Sequence, residues 1–271
     1  MVGRTIRNSW NGVAAAVQLL TRIPLPIQVP FDPPTLARSL IAFPIAGGLI
    51  GLLTSGAASL LDWLNMPLLA AALALGWWIA LTGGLHLDGW MDTADGVLSG
   101  RPREQMLDIM KDSRVGAMGV IAAVVLLLVK FAALVTLFER TDSSIAWMML
   151  AIGPVWSRWW MTAAIAMWPN AREGGMGAMF RAAKLRHVLG AAIAAALISV
   201  LLLCSAGLDG TKVWITMIVI AAAAALTGTA LAVWLNGKLG GLTGDTYGAM
   251  NEAAEAACLV AVCVLSKVWL F

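Results

Sequence analysis

Seven stretches of about 20 apolar residues, each flanked by polar turns, constrain this chain most, because a bilayer core of roughly 30 Å takes about 20 such residues per helical crossing. They run Ser39–Leu61, Pro67–Gly84, Ala117–Phe138, Ile145–Met167, Val188–Leu208, Val213–Leu235 and Met250–Phe271. In lipid every backbone polar group must find its partner inside the protein, so each run is expected to be an α-helix. Composition agrees: 60% of the 271 residues are hydrophobic and 12% are charged, against about 25% charged in an ordinary soluble domain. The expected fold is an all-α, polytopic membrane bundle of about seven spans, with residues 1–271 forming a single membrane-embedded domain.

Ahead of these runs, Ser9–Leu20 is too short to span and carries Asn11 and Gln18, which suits an interfacial or re-entrant helix. It does not read as a cleaved signal peptide, because its apolar stretch runs into Arg22, Pro24 and Pro26 with no small-residue cleavage site in a suitable place. Cys204, Cys258 and Cys263 fall inside apolar runs without a C-x-x-C pair, so neither a disulfide framework nor a zinc site is indicated. No low-complexity linker or internal repeat divides the chain.

Numbering the loops alternately puts the N-terminal segment and the loops near 85–116, 168–187 and 236–249 on one side. The other side receives 62–66, 139–144, 209–212 and the C-terminus. Thirteen of the 18 Lys and Arg residues, Arg22, Arg38, Lys111 and Arg114 among them, fall on the first side, whereas only Arg140, Lys212 and Lys267 fall on the second. By the positive-inside rule the first side is expected in the cytoplasm. Part of that basic rim, at 181–187, would serve equally well as an anchor to anionic lipid.

The most informative polar segment is His86-Leu87-Asp88-Gly89-Trp90-Met91-Asp92-Thr93-Ala94-Asp95-Gly96, at the end of the second run. If it continues as helix, Asp88, Asp92 and Asp95 stand at i, i+4 and i+7 on one face. A turn at Ser99-Gly100-Arg101-Pro102 should lead into a short helix towards Ser113, where Glu104, Asp108 and Asp112 make a second acidic stripe. Two carboxylates about 4 Å apart repel by roughly 4 kcal/mol at an effective dielectric near 20, and a bound cation reverses that sign. Oxygen ligands alone favour Mg²⁺, Mn²⁺ or Ca²⁺ over zinc, and Mg²⁺ is usually held by one or two carboxylates plus substrate phosphate. Lys111 and Arg114 beside Asp112 supply the cations that a diphosphate would need on its remaining oxygens. The competing reading is an exposed amphipathic helix whose acids meet Lys111 and solvent.

A third cluster, Gly237-Lys238-Leu239-Gly240-Gly241-Leu242-Thr243-Gly244-Asp245-Thr246-Tyr247-Gly248-Ala249-Met250-Asn251-Glu252 with Glu255 a turn on, places Asp245 and Glu252 on one helical face at the edge of an apolar run. Close helix packing would explain its glycines, but not its acids. Lys130 and Arg158 lie inside runs, where they either pair with an acid or snorkel. His86 reads as a ligand, a base or a hydrogen-bonded structural histidine. The thirteen tryptophans read as interfacial and packing residues.

Together, Thr21-Arg22-Ile23-Pro24-Leu25-Pro26, the His86–Gly96 block, Lys111-Asp112-Ser113-Arg114-Val115-Gly116 and the Leu242–Glu252 block resemble the adenosylcobinamide-GDP ribazoletransferase, or cobalamin synthase, family, in the family's order. Trp90 stands where that family often has a smaller residue, a difference that bears on packing. The resemblance implies a Mg²⁺-dependent transferase acting late in cobalamin assembly at the bacterial inner membrane. In that reaction a ribose hydroxyl of α-ribazole, or of its 5′-phosphate, attacks the cobinamide-proximal phosphorus of adenosylcobinamide-GDP, and GMP leaves. Carried onto this chain, it implies Asp88, Asp92, Asp95 and Asp245 as metal ligands, with Asp112, Asp245 and Glu252 as further ligands or the base. Lys111, Arg114 and Arg22 would hold phosphate oxygens. Membrane lipid is an expected partner; nucleic acid is not.

Two other readings remain open at this point. Asp92-x-x-Asp95-Gly96 followed by Asp108-x-x-x-Asp112 loosely resembles the carboxylate pattern of CDP-alcohol phosphotransferases, although their Ala-Arg is Leu98-Ser99 here. A transporter would suit the number of spans, but would put its ionisable residues nearer the bilayer midplane.

Overall fold

The computed structural model describes residues 2–139 and 143–269, with the side chains at 2–8, 143, 144, 176 and 269 set aside. Arg140 and the final two residues of the seventh run, Leu270 and Phe271, lie outside the described residues. The elements are α1 (Val2–Leu20), α2 (Pro33–Leu61), α3 (Pro67–Thr82), α4 (Leu85–Val97), α5 (Arg103–Ile109), α6 (Ala117–Phe138), α7 (Ser143–Met167), α8 (Met176–Met179), α9 (Leu185–Ser205), α10 (Gly210–Leu239) and α11 (Gly244–Trp269). The result is an all-α polytopic bundle.

Among the described residues, α2, α6, α9, α10 and α11 are long and apolar enough to cross a membrane, and α3 with α4 makes a sixth if the bent pair is one broken span. The run expected at Ile145–Met167 forms α7, a helix of 25 residues, yet it is less apolar than the other five. The reason lies in its position. Packed by α2, α9, α10 and α11, α7 faces protein rather than lipid and carries Ser157, Arg158 and Thr162 fully buried. On the outer wall, α9 turns Leu189, Ile193, Leu197 and Leu201 outwards along one stripe.

The tightest joint is α2 on α7. A methyl at Gly47 would run into the carbonyl of Pro154, and one at Gly51 into the carbonyl of Ala151, so the two backbones touch. This is the small-residue packing that lets membrane helices approach closely. Asp32 starts α2 before the expected Ser39 by accepting the Thr35 amide at 2.8 Å, with Pro33 set in the first turn. The N-terminal helix is longer than Ser9–Leu20, because it extends back to Val2; it buries Ala15, Ala16 and Leu20 against its neighbours and leaves Trp10 exposed.

Helix α3 does not continue into the acidic segment. Gly83 and Gly84 take left-handed φ values of 67° and 68°, and the chain turns by 90° into α4. The Arg22 amide donates to the Leu81 carbonyl at 2.8 Å, tying the N-terminal segment to this corner.

The loops grouped on the basic side meet at this end. Leu242 donates to Pro169 at 2.8 Å and receives from Ala171 at 2.9 Å, while the Arg103 guanidinium donates to the carbonyls of Leu239 and Ala171. At the far end, Asp62, Asn65, Phe138 and Glu139 border one cavity.

Candidate active site

Two close approaches build the site. Helix α4 lies across the first turns of α11, where a methyl on Gly89 would stand 2.6 Å from the Asp245 carbonyl oxygen and one on Gly248 would stand 3.1 Å from the His86 carbonyl oxygen. Helix α11 starts with a reciprocal cap: the Thr243 amide donates to Thr246 Oγ1 at 2.8 Å and the Thr246 amide to Thr243 Oγ1 at 3.3 Å. Asp245 therefore leaves the first turn of α11 directly beside Asp88 and Asp92 of α4.

Asp88 is exposed and Asp92 and Asp245 are half-buried. Helix α4 leaves α3 at 90°, and its aspartates stand at the end of the bundle where the basic loops meet. There, burial first and then the charges of Asp88, Asp245 and Asp95 push the Asp92 carboxyl up to about 6, with Arg172 opposing them. Thr243 Oγ1 donates to Asp245 Oδ2 at 3.3 Å.

Arg172 went unremarked in the sequence except as part of the basic side. Its Nη2 donates to the Leu107 carbonyl at 2.8 Å, while its buried Nε has no partner among the described residues. It shares a cleft with Asn170, Thr243 and Asp245. The available signal was its loop, Pro169-Asn170-Ala171-Arg172-Glu173-Gly174-Gly175, glycine-rich and on the same side as the aspartates.

The other expected site residues are placed differently. Both Asp95 oxygens accept amides, from Gly116 and from Gly119 at 2.7 Å each, so Asp95 holds the start of α6. Asp112 is bound by Arg114, whose hydrogen bonds hold its carboxyl down to about 2. Lys111 pairs with Asp108 and Glu104 with Arg103, all four exposed. Arg22 is exposed, with its side chain lying against Gly83.

Glu252 sits deeper, in a buried ion network. Lys130 Nζ donates to Glu252 at 2.5 Å and to Glu255 at 2.8 Å, and Arg158 Nη1 donates to Glu255. Lys130 also stands 4.7 Å over the Trp78 ring. Lys130 and Arg158 thus pair with acids rather than snorkel. Asn251 Nδ2 donates to Glu255 and to His86 Nδ1, the latter at 2.9 Å, which makes His86 a hydrogen-bonded link between this network and the site.

A cavity of about 150 Å³ opens beside the aspartates, bordered by His86, Asp88 and Asp245 and walled largely by apolar side chains of α1, α2 and α7. Among the described residues no three acidic, histidine or cysteine side chains enclose a metal position by themselves. The donor set nonetheless suits Mg²⁺, which takes one or two carboxylates and completes its shell with water and substrate phosphate. Asp92, crowded by like charges with a single arginine against them, is the group that a dication would relieve.

Residues 12–263 match the family described as cobalamin-5-phosphate synthase. A relative from Brevibacillus brevis, named adenosylcobinamide-GDP ribazoletransferase, is 38% identical over 92% of this chain and 96% of its own length. One of the same name from Herpetosiphon aurantiacus is 38% identical over 93% and 96%, and one from Pseudomonas paraeruginosa 36% over 95% and 99%. No solved structure matches the chain. The chain belongs to the cobalamin-5-phosphate synthase family and is a membrane transferase of cobalamin biosynthesis.

Proposed function

We propose that the protein transfers the adenosylcobinamide phosphate group from adenosylcobinamide-GDP to a ribose hydroxyl of α-ribazole or its 5′-phosphate, releasing GMP. The observation that carries this reading is the convergence of Asp88 and Asp92 from α4 with Asp245 from α11, with Arg172 close enough for its charge to act on Asp92 and Asp245. Asp88 and Asp92 would hold Mg²⁺, whose charge, once bound, would offset that of the diphosphate oxygens. Arg172 donates to a phosphate oxygen on the opposite side. Thr243 occupies Oδ2 of Asp245, leaving Oδ1 to take the proton of the attacking hydroxyl. Asp95 keeps α6 in place beneath them, and Glu252 balances Lys130. Arg22, Lys111 and Arg114 are exposed on this side, where they draw the polyanionic donor in.

The same reading puts this end of the bundle on the cytoplasmic face of the inner membrane, since the basic side chains collect there. Purified protein given both substrates should release GMP with Mg²⁺ and stop in excess chelator. Asp92→Asn should lower the rate by about 100-fold or more while the protein stays folded and monodisperse. Full activity in chelator, or in Asp92→Asn, would overturn the assignment, and CMP release from CDP-diacylglycerol would redirect it to another alcohol phosphotransferase.

A further inference from the structure

We infer that the cavity beside the aspartates receives the flat, neutral azole base of the acceptor nucleoside, with His86 donating its Nε2 proton to the unsubstituted ring nitrogen. The inference rests on the transfer reaction proposed above and names the part of the substrate that this pocket binds.

The walls decide the chemistry of the occupant. Leu19, Phe43, Met161, Ile165 and Phe180 present apolar surface, with Phe43 and Phe180 edge to face at 6.0 Å. A flat ring packs well against such side chains. The volume of about 150 Å³ accepts a fused bicyclic base but not a corrin macrocycle. Guanine fits less well, because its ring nitrogens and carbonyl would lie largely against these apolar walls, and unpaired polar groups cost free energy when buried. An acyl chain would match the walls but not the polar edge formed by His86, Asp88 and Asp245.

The buried ion network sets the role of His86. Arg158 and Lys130 fix the Glu255 carboxylate; Glu255 accepts from Asn251 Nδ2; and the same amide nitrogen donates to His86 Nδ1 at 2.9 Å. A carboxylate such as Glu255 can only accept, which fixes the Asn251 atom between the two as the amide nitrogen; His86 Nδ1 is then the acceptor and the ring proton belongs on Nε2. His86 is 4% exposed, and no other hydrogen bond of its ring is made among the described residues, so that proton is available to a group in the cavity that His86 borders. An azole base carries one ring nitrogen with a free lone pair. With that nitrogen on His86 and the ring packed on the apolar walls, the attached ribose would lie towards Asp88 and Asp245, which border the same cavity.

The test uses the purified full-length enzyme, the azole riboside, and the indole riboside of the same shape, in which C–H replaces the acceptor nitrogen. Wild-type KM should be about tenfold higher for the indole riboside. His86→Leu should raise KM for the azole riboside by about tenfold and remove the difference between the two acceptors. Ile165→Trp, which fills the cavity, should raise KM for either riboside while leaving KM for adenosylcobinamide-GDP unchanged. Equal KM values for the two ribosides in wild type, or an Ile165→Trp effect confined to adenosylcobinamide-GDP, overturns the base pocket while GMP release in wild type upholds the transfer reaction. Absence of riboside-dependent GMP release in wild type overturns the reaction and the pocket with it. Should His86→Leu fail to accumulate, the wild-type comparison and Ile165→Trp still decide.

Discussion

Asp92 and Asp95 lie on the same helix and have different partners, which separates the expected effects of replacing them. Asp95 accepts the amides of Gly116 and Gly119, as a helix cap does. Asp95→Ala should cost about 1–2 kcal/mol, read as a lowered thermal midpoint in detergent, whereas Asp92→Asn should leave that midpoint unchanged and remove turnover. The i, i+4, i+7 spacing was enough to set the three aspartates along one helix. What no spacing could reveal is that two glycine amides at the start of α6 would claim Asp95. Glu252 is a similar case: its place at the edge of an apolar run marked it as unusual, but Lys130, its buried partner, comes from α6. Lys130→Met should strand the buried Glu252 carboxylate, leave Glu255 with Arg158 alone and destabilise by about 3–5 kcal/mol, and adding Glu252→Gln should recover part of that loss in the same melting experiment. Arg172 was hidden for the opposite reason, since a single arginine in a loop resembles every other member of a basic rim until the fold carries it to Asp92.

Helices were legible where lipid dictates their composition. The apolar run Ala117–Phe138 is α6 with the same limits, because both ends are set by polar turns. Position inside the bundle was not legible. Helix α7 lies at the centre, and its arginine and tryptophans are tolerated there because protein surrounds it: Trp156, Trp159 and Trp160, with Trp168 just past its end, form an edge-to-face series with centroids 5.4, 6.1 and 5.8 Å apart. The turn between α3 and α4 was also absent from the helical reading, although Gly83-Gly84 in retrospect is what permits it. The contact of α4 with α11 follows from Gly89. Gly89→Ala should push α4 away from the Asp245 backbone, costing about 1–3 kcal/mol and lowering GMP release by at least about tenfold. Gly76→Ala on α3 is the matched control, since a methyl there meets nothing within 4 Å. It should gain about 0.5–1 kcal/mol from helix propensity with activity intact.

At the scale of the molecule, the two ends of the bundle differ in charge, and this asymmetry governs which way it inserts. The end that holds Asp88, Asp92 and Asp245 also gathers Arg22, Arg101, Arg103, Lys111, Arg114 and Arg172, whereas the cavity at the other end is bordered by Asp62 and Glu139. Lys and Arg in short loops resist translocation, and Asp and Glu contribute little, so the aspartates travel with the basic side chains around them. A variant with Cys204, Cys258 and Cys263 replaced by serine gives a clean background for single exposed cysteines. Met66→Cys, before α3 at the acidic end, should react with a membrane-impermeant maleimide in intact cells. Arg101→Cys, between α4 and α5, should react only after the membrane is opened. The reverse pattern would place the diphosphate chemistry outside the cell, where the basic rim would face the wrong leaflet for its charge, and would refute the proposed orientation. The expected pattern would mean that one asymmetry serves two ends: it fixes insertion, and it leaves the cationic side chains around the aspartates on the side from which a polyanionic donor arrives.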